Sequence, residues 1–167
     1  MTRSAEAPRL RGSAAALLAA AVLALTACAQ PPLPSRLAGL HRTRLYTGQR
    51  AVRMLGELHA RRLAPKSAAV GVYGRRGELR VWLARFADGG EAQQVLRAML
   101  ERLDSGGTPF SPPRQQREWP NRFFSVGPGA HNVFWVADDA VYWLEGPPGI
   151  IDPALDDLPA PPSGTWT

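Results

Sequence analysis

The amino-acid sequence predicts an α+β domain in which an antiparallel sheet carries two helices on one face. Three observations lead there. Segments 49–62 and 91–103 place apolar residues at helical spacing, the stretches between and after them are alternating or β-branched, and Gly, Pro and Asp residues mark the turns. The chain has 167 residues, 45% of them hydrophobic and 20% charged, which suits a single ordinary core.

Arg42 to Tyr46 reads as a short first strand, and Thr47-Gly48 as the start of a helix. From Gln49 to Arg62, Val52, Leu55 and Leu58 recur on one side with Ala51 and Met54 beside them. Pro65 ends that helix. Ala68 to Tyr73 follows as a strand of small and β-branched residues, and Gly74-Arg75-Arg76-Gly77 is a turn. Leu79 to Phe86 is the clearest strand: Leu79, Val81 and Leu83 fall on one side, Trp82 and Phe86 on the other, so both sheet faces carry apolar bulk. Asp88-Gly89-Gly90 precedes a second helix from Glu91 to about Leu103, whose core stripe is Ala92, Val95, Leu96, Met99 and Leu103. Gly106-Gly107 stops it. Thr108 to Asn121 holds Pro109, Pro112, Pro113 and Pro120 with little periodicity, and reads as an exposed loop. Arg122 to Val126, His131 to Val136 and Ala140 to Leu144 then read as three strands, with turns at Gly127-Pro128-Gly129 and Asp138-Asp139.

The resulting order, β-α-β-β-α-β-β-β, resembles a ferredoxin-like split βαβ with an extra C-terminal hairpin. A second grouping is two α-β-β units, since Ala51 to Leu58 and Ala92 to Leu100 each begin at Ala and precede a hairpin.

The N-terminus has a different character. Arg3, Arg9 and Arg11 form a basic start, and Ala14 to Ala27 is an apolar run too short to span a bilayer comfortably. It closes on Leu25-Thr26-Ala27-Cys28: an apolar position, two small residues and the chain's only cysteine. This resembles the signal peptide and lipobox of a bacterial lipoprotein. The resemblance implies cleavage before Cys28, a diacylglyceryl thioether on its sulfur, and an acyl chain such as palmitate on the freed amine. The domain would then sit outside the cytoplasm on the cell membrane or outer membrane. Ala29 favours the outer membrane in a two-membrane host, because lipoproteins kept in the inner membrane often carry Asp there. A single chain holds only marginally, at about 0.8 kcal/mol per buried methylene, so two or three make the attachment durable. An ordinary secretory signal with an incidental Cys28, and a retained transmembrane helix, are the competing readings.

The expected organisation is a signal peptide (1–27), a Pro-rich spacer (28–36), one α+β domain (37–146) and a loosely packed Pro-rich tail (147–167) whose Ile150 and Ile151 could dock on the core. With one cysteine, no intrachain disulfide forms, and stability must come from packing.

The formal charge is +6 and the isoelectric point near 10.6; without residues 1–27 the charge is +4. Lys66 is the only lysine. A basic balance suggests nucleic acid, but the extracytoplasmic address argues against that partner. Arg42, Arg44, Arg50, Arg53, Arg61, Arg62, Arg75, Arg76, Arg114, Arg117 and Arg122 are interrupted by acids and apolar residues, as on a solvated surface. The first six, if they share a face near the anchor, would attract anionic headgroups, lipopolysaccharide phosphates or an acidic partner.

Catalytic patterns are missing from the sequence. His41, His59 and His131 are the only histidines, with no pair at metal-ligand spacing, so neither metal nor cofactor is expected. Ser67, Ser105, Ser111 and Ser125 lie in no Gly-x-Ser-x-Gly context, Asp138-Asp139 and Asp156-Asp157 suit solvated turns, and no helix directly follows Gly71, Gly74 and Gly77 to make a phosphate site. Aromatics are the stronger signal: Trp82, Trp119, Phe123, Phe124, Phe134, Trp135, Tyr142 and Trp143 concentrate in the strands and their approach loop. Core packing accounts for about two-thirds of them. Trp119, Arg117, Arg122, His131, Trp135 and Trp143 are the candidate binding residues. The expectation is a non-catalytic envelope accessory protein, held to the membrane by lipid on Cys28. It would recruit a protein partner through the aromatic sheet face or the Arg114 to Phe124 loop. A carrier or sensor of an apolar or haem-like ligand, using His131 or His59, and a small hydrolase are the alternatives.

Overall fold

The computed structural model describes residues 32–58, 64–116 and 119–163; Leu25, Thr26, Ala27, Cys28, His59, Arg61, Arg62 and Arg117 lie outside the described residues. Among the described residues the chain forms eight strands: β1 (Arg36–Leu37), β2 (Leu40–Thr47), β3 (Ser67–Tyr73), β4 (Leu79–Arg85), β5 (Arg114–Gln116), β6 (Trp119–Gly127), β7 (Ala130–Ala137) and β8 (Ala140–Gly146). Three helices accompany them: α1 (Gly48–Leu58), α2 (Gly89–Asp104) and α3 (Pro148–Asp156). All eight strands belong to one antiparallel sheet in the order β1-β2-β3-β4-β8-β7-β6-β5. The fold is α+β, as the sequence pattern indicates.

The ferredoxin-like strand order is not the one adopted. A split βαβ separates the strands flanking its helix by an inserted strand, whereas β2 and β3, on either side of α1, are direct antiparallel neighbours pairing Thr47 with Ala69 and Tyr46 with Val70. The chain instead builds two half-sheets from opposite edges. β1 to β4 run inward from one edge, residues 86–113 carry α2 and cross to the other edge, and β5 to β8 return to the centre. The halves meet where β4 pairs with β8, Trp82 facing Trp143.

Tight turns set the registers. Asp138, at φ +54, begins the two-residue turn between Ala137 and Ala140, where a short side chain tolerates the left-handed backbone that a hairpin needs. Pro128-Gly129 makes the other, with Gly129 at φ +76. The helix α2 begins at Asp88, whose carboxylate accepts the Glu91 N–H at 2.9 Å, while the Glu91 carboxylate accepts the Ala87 N–H at 2.9 Å.

Both faces of the sheet are covered. On one, α1 and α2 bury Ala51, Leu55, Ala92, Leu96 and Leu103 against Val70, Trp82, Phe134, Val136 and Trp143. On the other, Leu33, Leu37 and α3 with Leu158 pack on Tyr73, Val81, Leu83, Val133, Trp135, Tyr142 and Leu144. Three sequence expectations are corrected, two of them by this second layer. The described part of the spacer belongs to the domain: Leu33 is 1% exposed, the Arg42 guanidinium bonds the Leu33 and Pro34 carbonyls, and the Tyr73 hydroxyl donates to the Pro34 carbonyl at 2.9 Å. The C-terminal segment is helical rather than loose, because Pro148 fits a first turn whose N–H groups need no partner and Ile151, Ala154 and Leu155 share its buried side. Burial contributes about 1.5–3 kcal/mol for each such large side chain.

The third correction concerns Thr108 to Asn121, which holds β5 and the start of β6. Gln115 pairs with Phe123 but Gln116 pairs with Trp119, so β6 bulges between them, and Asn121 sits there at φ +65. Its buried amide donates to the Pro162 carbonyl at 2.7 Å.

Candidate functional site

The register lines up a row of side chains across the helix-covered face: Tyr46, Val70, Trp82, Trp143, Phe134 and Phe123. At its centre Trp82 and Trp143 stack with ring centroids 5.4 Å apart and planes 20° off parallel. The next row toward the β6–β7 turn is polar: Arg80, Glu145, Asn132 and Ser125. The apolar row thus ends against charge.

A cleft of about 180 Å³ opens at that boundary. Trp82 and Trp143 form its floor, Arg80, Glu145 and Asn132 one wall, and Phe110 with Gly127, Pro128 and Ala130 the other. Each wall is held in place. Arg80 and Glu145, cross-strand partners, form an ion pair at 3.3 Å, and the Arg80 guanidinium lies 5.6 Å from the Trp82 ring centre. Asn132 Oδ1 accepts the Trp143 indole N–H at 2.9 Å, and its Nδ2 donates to the Ala130 carbonyl at 3.2 Å. Phe110 meets Trp143 edge-on at 6.2 Å, and a Cβ on Gly127 would fall 2.7 Å from the Phe110 ring, which only glycine avoids. The Trp82 indole N–H is buried and has no hydrogen-bond acceptor among the described residues. An unmatched buried donor costs about 1–3 kcal/mol.

The cleft therefore combines a flat π surface, one cation, one carboxylate and one carboxamide. Small-molecule sites usually enclose about 300–1,000 Å³, so this hollow suits a single inserted side chain. A second hollow, of about 20 Å³ between Leu55, Phe86, Val95 and Met99, is apolar and no larger than one water. No group of three His, Cys, Asp or Glu able to hold a metal occurs among the described residues.

Of the six candidate binding residues, Trp143 alone lines this cleft, together with Trp82 from the wider set of aromatics. Trp135 lies on the opposite face, fully buried, stacked on Tyr142 at 5.0 Å and donating its indole N–H to the Pro159 carbonyl at 2.8 Å. Arg122 is 2% exposed beside it: its guanidinium lies 5.5 Å from the Trp135 ring centre and donates to the Leu155 carbonyl at 3.4 Å. Burial lowers its affinity for a proton, and Asp156 partly restores it. Both residues fasten the C-terminal segment. His131 pairs with Val126 and Gly146, half-buried, with the side-chain parity of Trp135 rather than Trp143. Trp119 opens β6, pairing with Gln116. Arg117 and the Leu25-Thr26-Ala27-Cys28 motif lie outside the described residues.

Sequence reasoning did not place Arg80, Trp82, Asn132 or Glu145 in a site. A signal was present: Arg80-Val81-Trp82 and Trp143-Leu144-Glu145 are mirror-ordered, each setting a charge two residues from a tryptophan within an apolar strand. Antiparallel pairing brings them together.

No family model, no curated protein and no solved structure matches this chain.

Proposed function

We propose that this protein is a lipid-anchored, extracytoplasmic envelope protein that acts by binding a partner protein, one of whose side chains seats in the Trp82–Trp143 cleft. The cleft carries the reading. Its volume matches a side chain better than a haem-like ligand, its aromatic floor suits a flat or apolar group, and the Arg80–Glu145 pair supplies direction. Both broad sheet faces are already covered, and this boundary is where buried aromatic rings line a cleft beside charged side chains. The anchor follows from the resemblance of Leu25-Thr26-Ala27-Cys28 to a lipobox.

Two measurements test the two parts. Mass spectrometry of the N-terminal peptide should find a diacylglyceryl cysteine beginning at Cys28, absent from a Cys28→Ala control; an unmodified thiol removes the anchor. A photo-crosslinker at Pro128, on the cleft rim, should give one discrete adduct in native membranes that Trp143→Ala abolishes. The same adduct from a crosslinker at Arg53 on α1 would place the contact elsewhere.

A further inference from the structure

Charge is divided along the chain, and the sheet turns that division into geometry. Residues 32–86 carry twelve Lys and Arg against two Asp and Glu, a net +10; residues 87–167 carry five Arg against eleven Asp and Glu, a net −6. The first stretch builds β1 to β4 and α1. The second builds β5 to β8 with α2 and α3, and those two helices pack on β7 and β8. One half of the sheet is therefore basic and the other acidic, joined along the β4–β8 pairing.

Within the basic half Arg36, Arg44, Arg75 and Arg76 are exposed, and none of the four forms an ion pair among the described residues. Arg36 hydrogen-bonds His41 Nε2 at 2.9 Å, and the turn bearing Arg75 and Arg76 is tied to the same residue by the Gly74 N–H, which donates to the His41 carbonyl at 2.9 Å. They share one end of the half-sheet, Arg44 standing beside Thr43, whose hydroxyl donates to the Gly74 carbonyl at 3.3 Å. Among the described residues, Glu78 and Asp157 bring carboxylates to that end, each accepting from backbone rather than pairing with a guanidinium: Glu78 accepts the Arg76 N–H at 2.9 Å, and Asp157 accepts the Ala38 N–H at 2.8 Å. Four guanidinium groups against these two carboxylates leave the end net positive, and that excess is available to something outside the domain.

The N-terminal chain joins the domain on this same half, where Leu33 is buried and the Arg42 side chain grips the Leu33 and Pro34 carbonyls. Four residues lie between Cys28 and Leu33, and the five steps from one to the other span at most about 18 Å in any conformation. Screening limits headgroup charge to about 8 Å at physiological salt, and a leash this short allows the surface to come within that range. We infer that the surface formed by Arg36, Arg44, Arg75 and Arg76 rests on anionic lipid headgroups, with the acidic half directed away from the bilayer. This inference rests on the lipid-anchored reading.

The test uses the processed lipoprotein reconstituted in vesicles of phosphatidylcholine, with or without phosphatidylglycerol. An environment-sensitive fluorophore on Ser35→Cys reports on the basic end, and one on Ser105→Cys, just after α2, reports on the acidic half; lipid on Cys28 leaves the introduced thiol as the single labelling site. Phosphatidylglycerol should shift the Ser35→Cys emission to the blue and leave the Ser105→Cys emission unchanged. High salt should abolish the shift, as should the combined Arg36→Gln, Arg75→Gln and Arg76→Gln substitutions, with thermal unfolding like that of the parent. No phosphatidylglycerol-dependent shift on a protein whose Cys28 lipid is confirmed by mass overturns the headgroup surface and leaves the anchor standing. A shift that grows with protein density in phosphatidylcholine alone overturns it in favour of two copies pairing basic half to acidic half. An unmodified Cys28 overturns both.

Discussion

The two faces of the sheet each present a stacked aromatic pair, and the pairs have different fates. Trp135 and Tyr142 stack at 5.0 Å beneath α3, where the Trp135 N–H fastens the Pro159 carbonyl and Arg122 closes the side. Trp82 and Trp143 stack at 5.4 Å on the other face, under α1 and α2, but at the edge of what those helices reach. The chemistry of the rings is the same. What differs is the next layer: a C-terminal segment with carbonyls to spare seals one pair, while an ion pair, a carboxamide and a turn leave the other facing a cleft. A tryptophan on a strand becomes core or contact according to what the rest of the chain lays over it.

That contrast can be broken by mutation, and the largest effect belongs to the sealed pair. Trp135→Ala should cost about 3–5 kcal/mol in urea unfolding, through cavity formation and release of the C-terminal segment. A cost no greater than that of Trp82→Ala would erase the distinction. Leu155→Ala should follow at about 2–4 kcal/mol, since its fully buried side chain holds α3 on the sheet.

Smaller effects sharpen the difference within the open pair. Trp143→Phe leaves the buried Asn132 oxygen without its donor and should cost about 1–3 kcal/mol, whereas Trp82→Phe removes an unmatched donor, and relief of about 1–3 kcal/mol should offset much of its lost packing. Equal losses in thermal unfolding would show that the Trp82 N–H has an acceptor in solution.

Proton linkage separates the faces too. Burial pushes the Tyr142 hydroxyl above its ordinary range, Arg85 pulls it back, and Asp138 and Asp139 push it further up. The unfolded chain loses this proton near pH 10, the native chain only higher. The contribution is therefore intact below about pH 10 and is lost as pH rises through the native value. Tyr142→Phe should blunt the alkaline loss of stability; an unchanged profile would assign that loss to other groups, Tyr73 among them. The smallest effect is expected at Glu145→Gln. Its ion pair with Arg80 has side chains 30% and 39% exposed, so solvent screening should hold the change below about 1 kcal/mol. Crosslinking from Pro128 should nevertheless fall, and a full adduct would remove the charge pair from the contact.

Much of the architecture was legible in local pattern. The helical stripes at 51–58 and 92–103, and the hairpin turns at Asp138-Asp139 and Pro128-Gly129, appear where periodicity and turn chemistry indicate them. The helix α3 was missed because Pro147, Pro148 and Pro153 read as a tail. Yet Pro148 belongs at a helix start, and Ile150, Ile151, Ala154 and Leu155 already had helical spacing. Strand order was illegible for a different reason: β2 and β3 could each satisfy their backbone in more than one pairing, and the choice depends on contacts between segments far apart in the chain. Of the candidate site, Trp143 stood out by type alone; Arg80 and Glu145 did not, because a charge on a strand usually means a solvated position.

By itself, then, the sequence determined the two long helices, the central two-sided apolar strands, the lipobox-like motif and the division of charge between residues 32–86 and 87–167, since each depends on residues close in the chain or on composition alone. Tertiary structure decided which tryptophans are sealed, which oppositely charged side chains meet, and that the charge division becomes a division in space. Those outcomes require β4 to pair with β8 across some sixty residues of intervening chain, and no local preference encodes that closure.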